Sequence, residues 1–173
     1  MEEKTCSKSL AVKTSHVLPP DTNAYKTLFG GKLMAHIDDV AAISAVRHAR
    51  KNVVTASTDS VDFLEPVKEG DSICIEAFVT WTHKTSMEVF AKAVTEDLLT
   101  GERRVSATAF LTFVAVDENG RPIPVSPIVP ETQMEKRLYE GAPKRAKARK
   151  ERRKESKEFA EAFGTDYPWI EKP

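Results

Sequence analysis

Apolar residues along the chain change their spacing, and the first regular spacing predicts a helix. Residues 31–50 contain no proline and, after their first position, no glycine. At 100° per residue one side of this stretch collects Leu33, Ile37, Val40, Ala41, Ser44 and His48. We therefore expect an amphipathic helix that buries this side.

The residues after this helix alternate with the two-residue period of a sheet that buries one face. Four segments have strand chemistry, at residues 53–63, 73–81, 87–93 and 105–116, and a shorter β-compatible stretch at residues 9–18 precedes the helix. One helix followed by an antiparallel meander of four long strands predicts an α+β fold, with the sheet packed on the helix.

The composition changes again after Pro130. Residues 131–163 have no strand pattern and are rich in Lys, Arg, Glu and Ala. This composition predicts one or two solvated helices, broken near Pro143. We expect two parts, a globular domain at residues 1–130 and a charged helical tail at residues 131–173.

The formal net charge is zero, from 26 basic and 26 acidic residues, but the charge is unevenly placed. Residues 144–157 include nine basic and two acidic residues, so the rest of the chain has a charge of −7. A uniformly basic nucleic-acid-binding surface is excluded. The basic segment is interpreted first as a solvated helix, second as a segment that attracts an anionic ligand, and third as a nucleic-acid contact. The third reading lacks aromatic residues for base stacking.

Export, membrane and metal signals are missing from the sequence. The longest apolar run in the first half has four residues, at 40–43, against about 20 needed to span a bilayer. The N-terminus is polar, unlike a secretory signal. Cys6 and Cys74 are 68 positions apart with no histidine cluster nearby, which argues against a zinc site. We expect a cytoplasmic protein with free thiols, no metal and no membrane partner.

The predicted helix has a carboxylate in an unusual place. Asp38 lies on a flank formed by the small or apolar residues Met34, Ala42 and Ala45. It either borders a pocket or another subunit, or it points to water, and both readings stay open from geometry alone. Its neighbour Asp39 falls on the charged side and is interpreted as a surface carboxylate.

Two glycines precede the helix. Gly30 and Gly31 leave backbone N–H groups uncovered at the positive end of the helix dipole. Such a terminus can hold a phosphate or polarise a carbonyl oxygen that becomes an oxyanion.

Other polar residues are given structural roles. None of the four histidines is interpreted as catalytic, and His48 at the helix end has a structural reason near the last carbonyls. Asp59 and Asp62 fall on opposite faces of one strand, so they do not form a carboxylate pair, and sheet-edge solvation explains each.

Short motifs spread over residues 9–130 point to one family when they are taken together. They are DTNA at 21–24, FGG at 29–31, LM at 33–34, IDD at 37–39, VDFLEPV at 61–67, KTS at 84–86 and FVAVD at 113–117. In combination they resemble the hot-dog-fold acyl-CoA thioester hydrolases. The closest resemblance is to a bacterial cytoplasmic group that is also similar to the animal brain-type acyl-CoA hydrolase.

This resemblance implies a fold and an assembly. The hot-dog fold is a long central helix wrapped by a curved antiparallel sheet. Two such units pair into a homodimer, and three dimers commonly form a homohexamer. The acyl-CoA substrate lies along the dimer interface, and no cofactor is needed because CoA is part of substrate and product.

The resemblance also implies roles for particular residues. Asp38 is the acid on the helix, opposite Asn23 from the partner subunit, and Gly31 or its neighbour Gly30 supplies the backbone N–H for the oxyanion. A segment near the CoA phosphates and pantetheine corresponds to Lys84, Thr85 and Ser86.

The chemistry of a thioester suits these residue types. The carbonyl oxygen must be polarised and a water or carboxylate delivered to carbon, while the thiolate leaves readily. Asp38 can act as general base to water or as nucleophile through a mixed anhydride, and both routes stay open. The alternative function is a non-catalytic acyl-CoA-binding sensor of the same fold, but the presence of both Asn23 and Asp38 favours the enzyme.

Overall fold

The predicted central helix and the strands around it are present in the computed structural model, which describes residues 1–166. The strands are β1 (Lys4–Thr5), β2 (Ala11–His16), β3 (Asn52–Phe63), β4 (Ser72–Thr82), β5 (Ser86–Glu96), β6 (Arg103–Val116) and β7 (Ile128–Val129). The helices are α1 (Gly30–Ala49) and α2 (Gln133–Phe163). The chain forms two compact units, residues 1–139 and residues from 140 onward. The domain boundary expected at residue 130 stays a prediction.

Helix α1 buries the side that its sequence predicts. All six residues of the predicted stripe are buried, and Ala45 is buried with them. The helix begins after Phe29, which provides no side-chain cap, and ends at Ala49; the next residue, Arg50, is in the left-handed region with φ of 53°. The N–H of Arg50 donates to the carbonyl of Val46 over 2.8 Å, which closes the last turn.

The strand order corrects the predicted meander. The five-stranded sheet runs β2-β4-β5-β6-β3, and all neighbours are antiparallel. Strands β4, β5 and β6 form a meander, but β3 pairs with β6 at the far edge instead of with β4. Alternation along a strand sets which face is buried and does not set the neighbour, so this pairing is not visible in the pattern.

The sheet wraps around α1, as the hot-dog resemblance implies. Helix α1 contacts all five strands. Five strands about 4.8 Å apart span about 20 Å, twice the diameter of a helix, so contact with both edge strands requires a curved sheet. Small buried residues line its inner face and allow close approach: Ala77, Ala91, Ala93, Ala107, Ala109 and Ala115. The α+β architecture with a wrapped helix is therefore confirmed.

His48 has a structural role at the end of α1. The side chain is buried, and Nε2 donates to the carbonyl of Ser126 over 2.8 Å. Nδ1 is buried and has no hydrogen-bond partner among residues 1–166. Burial lowers the pKa of His48 below its ordinary value of 6.5, because a proton on Nδ1 would be desolvated there.

We expect the free energy of unfolding to fall as the pH drops from 7 to 5. The unfolded chain takes up a proton on His48 below about pH 6.5, whereas the folded chain resists it, so stability is lost with falling pH. Urea unfolding at several pH values measures this slope. His48→Gln should reduce the slope. An unchanged slope in the His48 variant would contradict the account.

Helix α2 runs from Gln133 to Phe163 without the break expected near Pro143, so that prediction was wrong. Its start is a capping box. Thr132 Oγ1 accepts the N–H of Glu135 over 3.2 Å, and Glu135 Oε2 accepts the N–H of Thr132 over 2.8 Å. Pro143 costs about 3 kcal/mol in a helix interior, and the Lys, Arg, Ala and Glu residues on either side are strong helix formers that offset this cost. Within residues 1–166 no helix is long and apolar enough to cross a membrane.

Candidate active site

Asp38 lies half-buried on the flank of α1 and makes one side-chain hydrogen bond. The hydroxyl of Thr55 on β3 donates to Asp38 Oδ1 over 3.1 Å. No group among residues 1–166 donates to the second oxygen, Oδ2. Asp39, the next residue, is exposed and forms a 2.8 Å ion pair with Lys13. The two adjacent carboxylates therefore differ: Asp38 is oriented through Oδ1 and has no donor on Oδ2 within the described residues, and Asp39 forms a surface ion pair.

Thr55 is a site residue that sequence reasoning missed. It lies opposite Phe113 of β6, whose side chain is buried in the core, so both residues face the helix. Only the register between β3 and β6 places this threonine at the level of Asp38. The signal in the sequence that could have indicated Thr55 was a polar residue on the helix-facing side of a strand.

The N-terminus of α1 presents free backbone donors. The N–H groups of Gly30 and Gly31 have no acceptor among the described residues, whereas those of Lys32 and Leu33 both donate to the carbonyl of Phe29. A Cβ on Gly31 would lie 2.6 Å from the ring of Phe29, so a larger residue here would have to displace that ring. Two adjacent N–H groups at the positive end of a 20-residue helix can hold an oxyanion.

Asn23 is held in a tight loop beside this terminus. Its Oδ1 accepts the N–H of Tyr25 over 2.9 Å, and its Nδ2 donates to the hydroxyl of Thr27 over 2.9 Å. Lys26 adopts the left-handed region with φ of 56°, and its N–H closes the turn on the Asn23 carbonyl. An amide group has two N–H donors, so Asn23 keeps one for another molecule.

The candidate site residues form two clusters within one chain. The first is Asn23, in the loop before α1, with Gly30 and Gly31 in the first turn of the helix, and the second is Asp38 on α1 with Thr55 on β3. Asp38 follows Gly31 by seven positions along the helix, which corresponds to a rise of about 11 Å. Within residues 1–166 of one chain no hydrogen bond joins the two clusters.

Lys84 and Thr85 lie with His83 in the turn between β4 and β5, and Ser86 is the first residue of β5. Ser86 lies opposite Val114, the neighbour of the residue that pairs with Thr55. The turn is therefore at the level of the Asp38 cluster, on the other side of β6. Lys84 is exposed and borders a cavity of about 530 Å³.

Strand β3 forms one edge of the sheet, and its outer side has no partner strand within the described part of the chain. It has 12 residues, and about half of the surface of Val54 and of Phe63 is exposed. Met34 of α1 is also exposed. A long edge strand beside exposed apolar side chains is typical of a surface that pairs with another chain.

Comparison with known proteins identifies the family. Residues 25–102 match the Thioesterase superfamily model. Over 168 residues the chain is 56% identical to the uncharacterized acyl-CoA thioester hydrolase YkhA of Bacillus subtilis, a match that covers 97% of this chain and 98% of that protein. The chain belongs to the acyl-CoA thioester hydrolases.

Solved structures agree with this family in fold. The acyl-CoA hydrolase of Staphylococcus aureus, in complex with butyryl-CoA, CoA and CoA disulfide, has a TM-score of 0.90 and 44% identity, covering 95% of this hydrolase and 100% of that chain. A hexameric apo acyl-CoA thioesterase has a TM-score of 0.86 and 50% identity, and the match covers 88% of this hydrolase and 97% of that chain.

Variants of the Staphylococcus aureus hydrolase provide a spacing to compare. Its structures include alanine replacements of one asparagine, one aspartate and one threonine. The aspartate follows the asparagine by 15 positions, and the threonine follows the aspartate by 17. In this acyl-CoA thioester hydrolase the same two separations join Asn23, Asp38 and Thr55.

Proposed function

We propose that this acyl-CoA thioester hydrolase cleaves fatty acyl-CoA to free fatty acid and CoA, with Asp38 as the reacting carboxylate. The observation that supports this most directly is the pairing of Asp38 with Thr55. The threonine hydroxyl orients Oδ1, and no group among residues 1–166 donates to Oδ2, which leaves this oxygen available to act as general base or nucleophile. The matching spacing of an asparagine, an aspartate and a threonine in the Staphylococcus aureus hydrolase also supports it.

The site we propose is shared between two subunits. Asp38 and Thr55 come from one subunit, and Asn23, Gly30 and Gly31 come from its partner. The separation of about 11 Å between the clusters in one chain and the free edge of β3 both favour this arrangement. A two-fold dimer contains two equal sites, and three dimers would form a hexamer, the state of one similar thioesterase.

The proposed reaction uses each cluster for one task. The N–H groups of Gly30 and Gly31 and the spare N–H of Asn23 hold the thioester oxygen as charge develops on it. Asp38 takes a proton from water as the water attacks the carbonyl carbon, and the C–S bond then breaks to release CoA as a thiolate, which is protonated on release. In the alternative route Asp38 attacks the carbon itself, the C–S bond breaks to release the CoA thiolate, and water then hydrolyses the resulting anhydride to the fatty acid and restores the carboxylate.

CoA has several negative charges, so its binding needs local donors in a chain of zero net charge. We propose that Lys84, Thr85 and Ser86 contact its phosphates and pantetheine, since this turn lies at the level of Asp38. The basic residues of the tail add a long-range attraction. We place the enzyme in the cytoplasm, in fatty acid metabolism.

A series of acyl-CoA substrates tests this function. A thiol-trapping reagent measures CoA release by the purified protein, and equilibrium binding of CoA is measured in parallel. We expect turnover with at least one chain length. CoA binding without turnover at any chain length would instead support the acyl-CoA sensor.

A further inference from the structure

Strand β3 has two bulges beside the candidate active site. Residues 60–63 pair regularly with β6. The pairing is then interrupted twice: it resumes at Thr58, opposite Leu111, and after a second break at Thr55, opposite Phe113. At each break β3 advances by two residues while β6 advances by one. Ala56 and Asp59 are therefore the extra residues of the two bulges.

The two bulges together determine where Thr55 lies. Without them, the register of the Phe63 end would place Thr55 opposite Ala115, two residues or about 7 Å further along β6 than Phe113. One bulge alone would turn Thr55 to the outer face of the sheet, because a shift of one residue inverts the faces of a strand. Only both bulges place its hydroxyl on the helix-facing side at the level of Asp38.

A polar clamp joins the bulged segment to β6 on the outer face. We define it as Asp59, Ser57 and Thr112. The hydroxyl of Thr112, which is 5% exposed, donates to Asp59 Oδ2 over 2.7 Å, and the hydroxyl of Ser57 donates to Oδ1. Ser57 is paired with Thr112 in the sheet and lies between the two bulges. The carboxylate thus binds both strands where the regular ladder is interrupted.

We propose that Asp59, held by Ser57 and Thr112, is a positioning residue that maintains the double bulge and so keeps the Thr55 hydroxyl on Asp38. This inference rests on the proposed role of Asp38. Asp59 lies on the opposite face of the sheet from α1 and acts only through Thr55. Sheet-edge solvation, the sequence interpretation of Asp59, does not describe a carboxylate that accepts two hydroxyl hydrogen bonds.

Thr112→Val is the first test, because valine keeps the shape of threonine and removes the donor. We expect kcat for acyl-CoA to fall about tenfold or more, with KM within about twofold, since misplacement of a catalytic group affects chemistry more than binding. Thr112→Ser keeps the donor and should restore kcat. Asp59→Ala, which removes both acceptor oxygens, should act like Thr112→Val.

Two matched controls separate positioning from general damage to the sheet. Thr108→Val removes a hydroxyl from the same face of β6, where Thr108 makes no side-chain hydrogen bond within residues 1–166. Asp62→Asn neutralises an exposed carboxylate of β3. Both should keep wild-type kcat. An equal loss of kcat in Thr108→Val and Thr112→Val would overturn the proposal.

A double-variant cycle tests whether the clamp acts through Thr55. In a Thr55→Val background, Thr112→Val should cause no further loss of kcat, because the hydroxyl to be positioned is gone. A full additional loss in that background would overturn the proposal, and so would wild-type kcat in Thr112→Val alone.

Asp38→Asn distinguishes a failure of this inference from a failure of the proposed function. If Asp38→Asn abolishes hydrolysis while Thr112→Val leaves hydrolysis unchanged, only this inference fails. If Asp38→Asn keeps wild-type activity, the proposed function fails as well.

Discussion

Asp38→Asn is expected to slow acyl-CoA hydrolysis by at least about 100-fold, the usual loss when a general base or nucleophile is removed. Asparagine keeps the size of the side chain and can still accept the hydrogen bond from Thr55. It cannot take a proton from water or form an anhydride. We therefore expect kcat to fall while the fold and the affinity for CoA stay nearly unchanged. Thiol release under saturating acyl-CoA measures kcat, and calorimetric titration with CoA measures affinity.

The neighbouring carboxylate is a matched control for this prediction. Asp39→Asn removes an equal charge one residue away, in an exposed ion pair with Lys13 that contributes at most about 1 kcal/mol. Its kcat should be that of the wild type. Equal activities of the two variants would remove Asp38 from the mechanism.

The sequence predicted the helix and the strands because each buries one face, and burial leaves a periodic pattern. Asp38 and the two glycines were found because they break this pattern, as a carboxylate on a small apolar flank and as uncovered donors before a helix. The neighbour of β3 was not predicted, because pairing depends on the path of the chain across the sheet. The continuity of α2 through Pro143 depends on the strong helix formers around it and its capped start.

The roles of Thr55 and Asp59 could not be predicted from the hydrophobic pattern. Their roles depend on two bulges that shift the register of β3 by two residues while leaving the buried face unchanged. Hydrophobic alternation is therefore nearly the same with or without this shift. The Thr55 hydroxyl becomes a partner of Asp38 only when β3 is aligned with β6, where its pairing residue Phe113 lies 58 positions away in sequence.

A site shared between subunits predicts that two damaged chains can restore each other. Asp38→Asn and Asn23→Ala inactivate different clusters. In a mixed dimer, one site receives both lesions and the other receives intact Asp38 from one chain and intact Asn23 from its partner. Random pairing makes half of the dimers mixed, so about a quarter of all sites should be intact.

Thioester hydrolysis by the co-expressed mixture, compared with each variant expressed alone, is the most direct test of the shared active site. Equal expression of the two chains is checked through distinct affinity tags, and wild-type chains with the same tags are the control. We predict that the mixture recovers about a quarter of the wild-type kcat per chain. Activity no higher than the mean of the two separate variants would show that Asp38 and Asn23 do not act together across an interface.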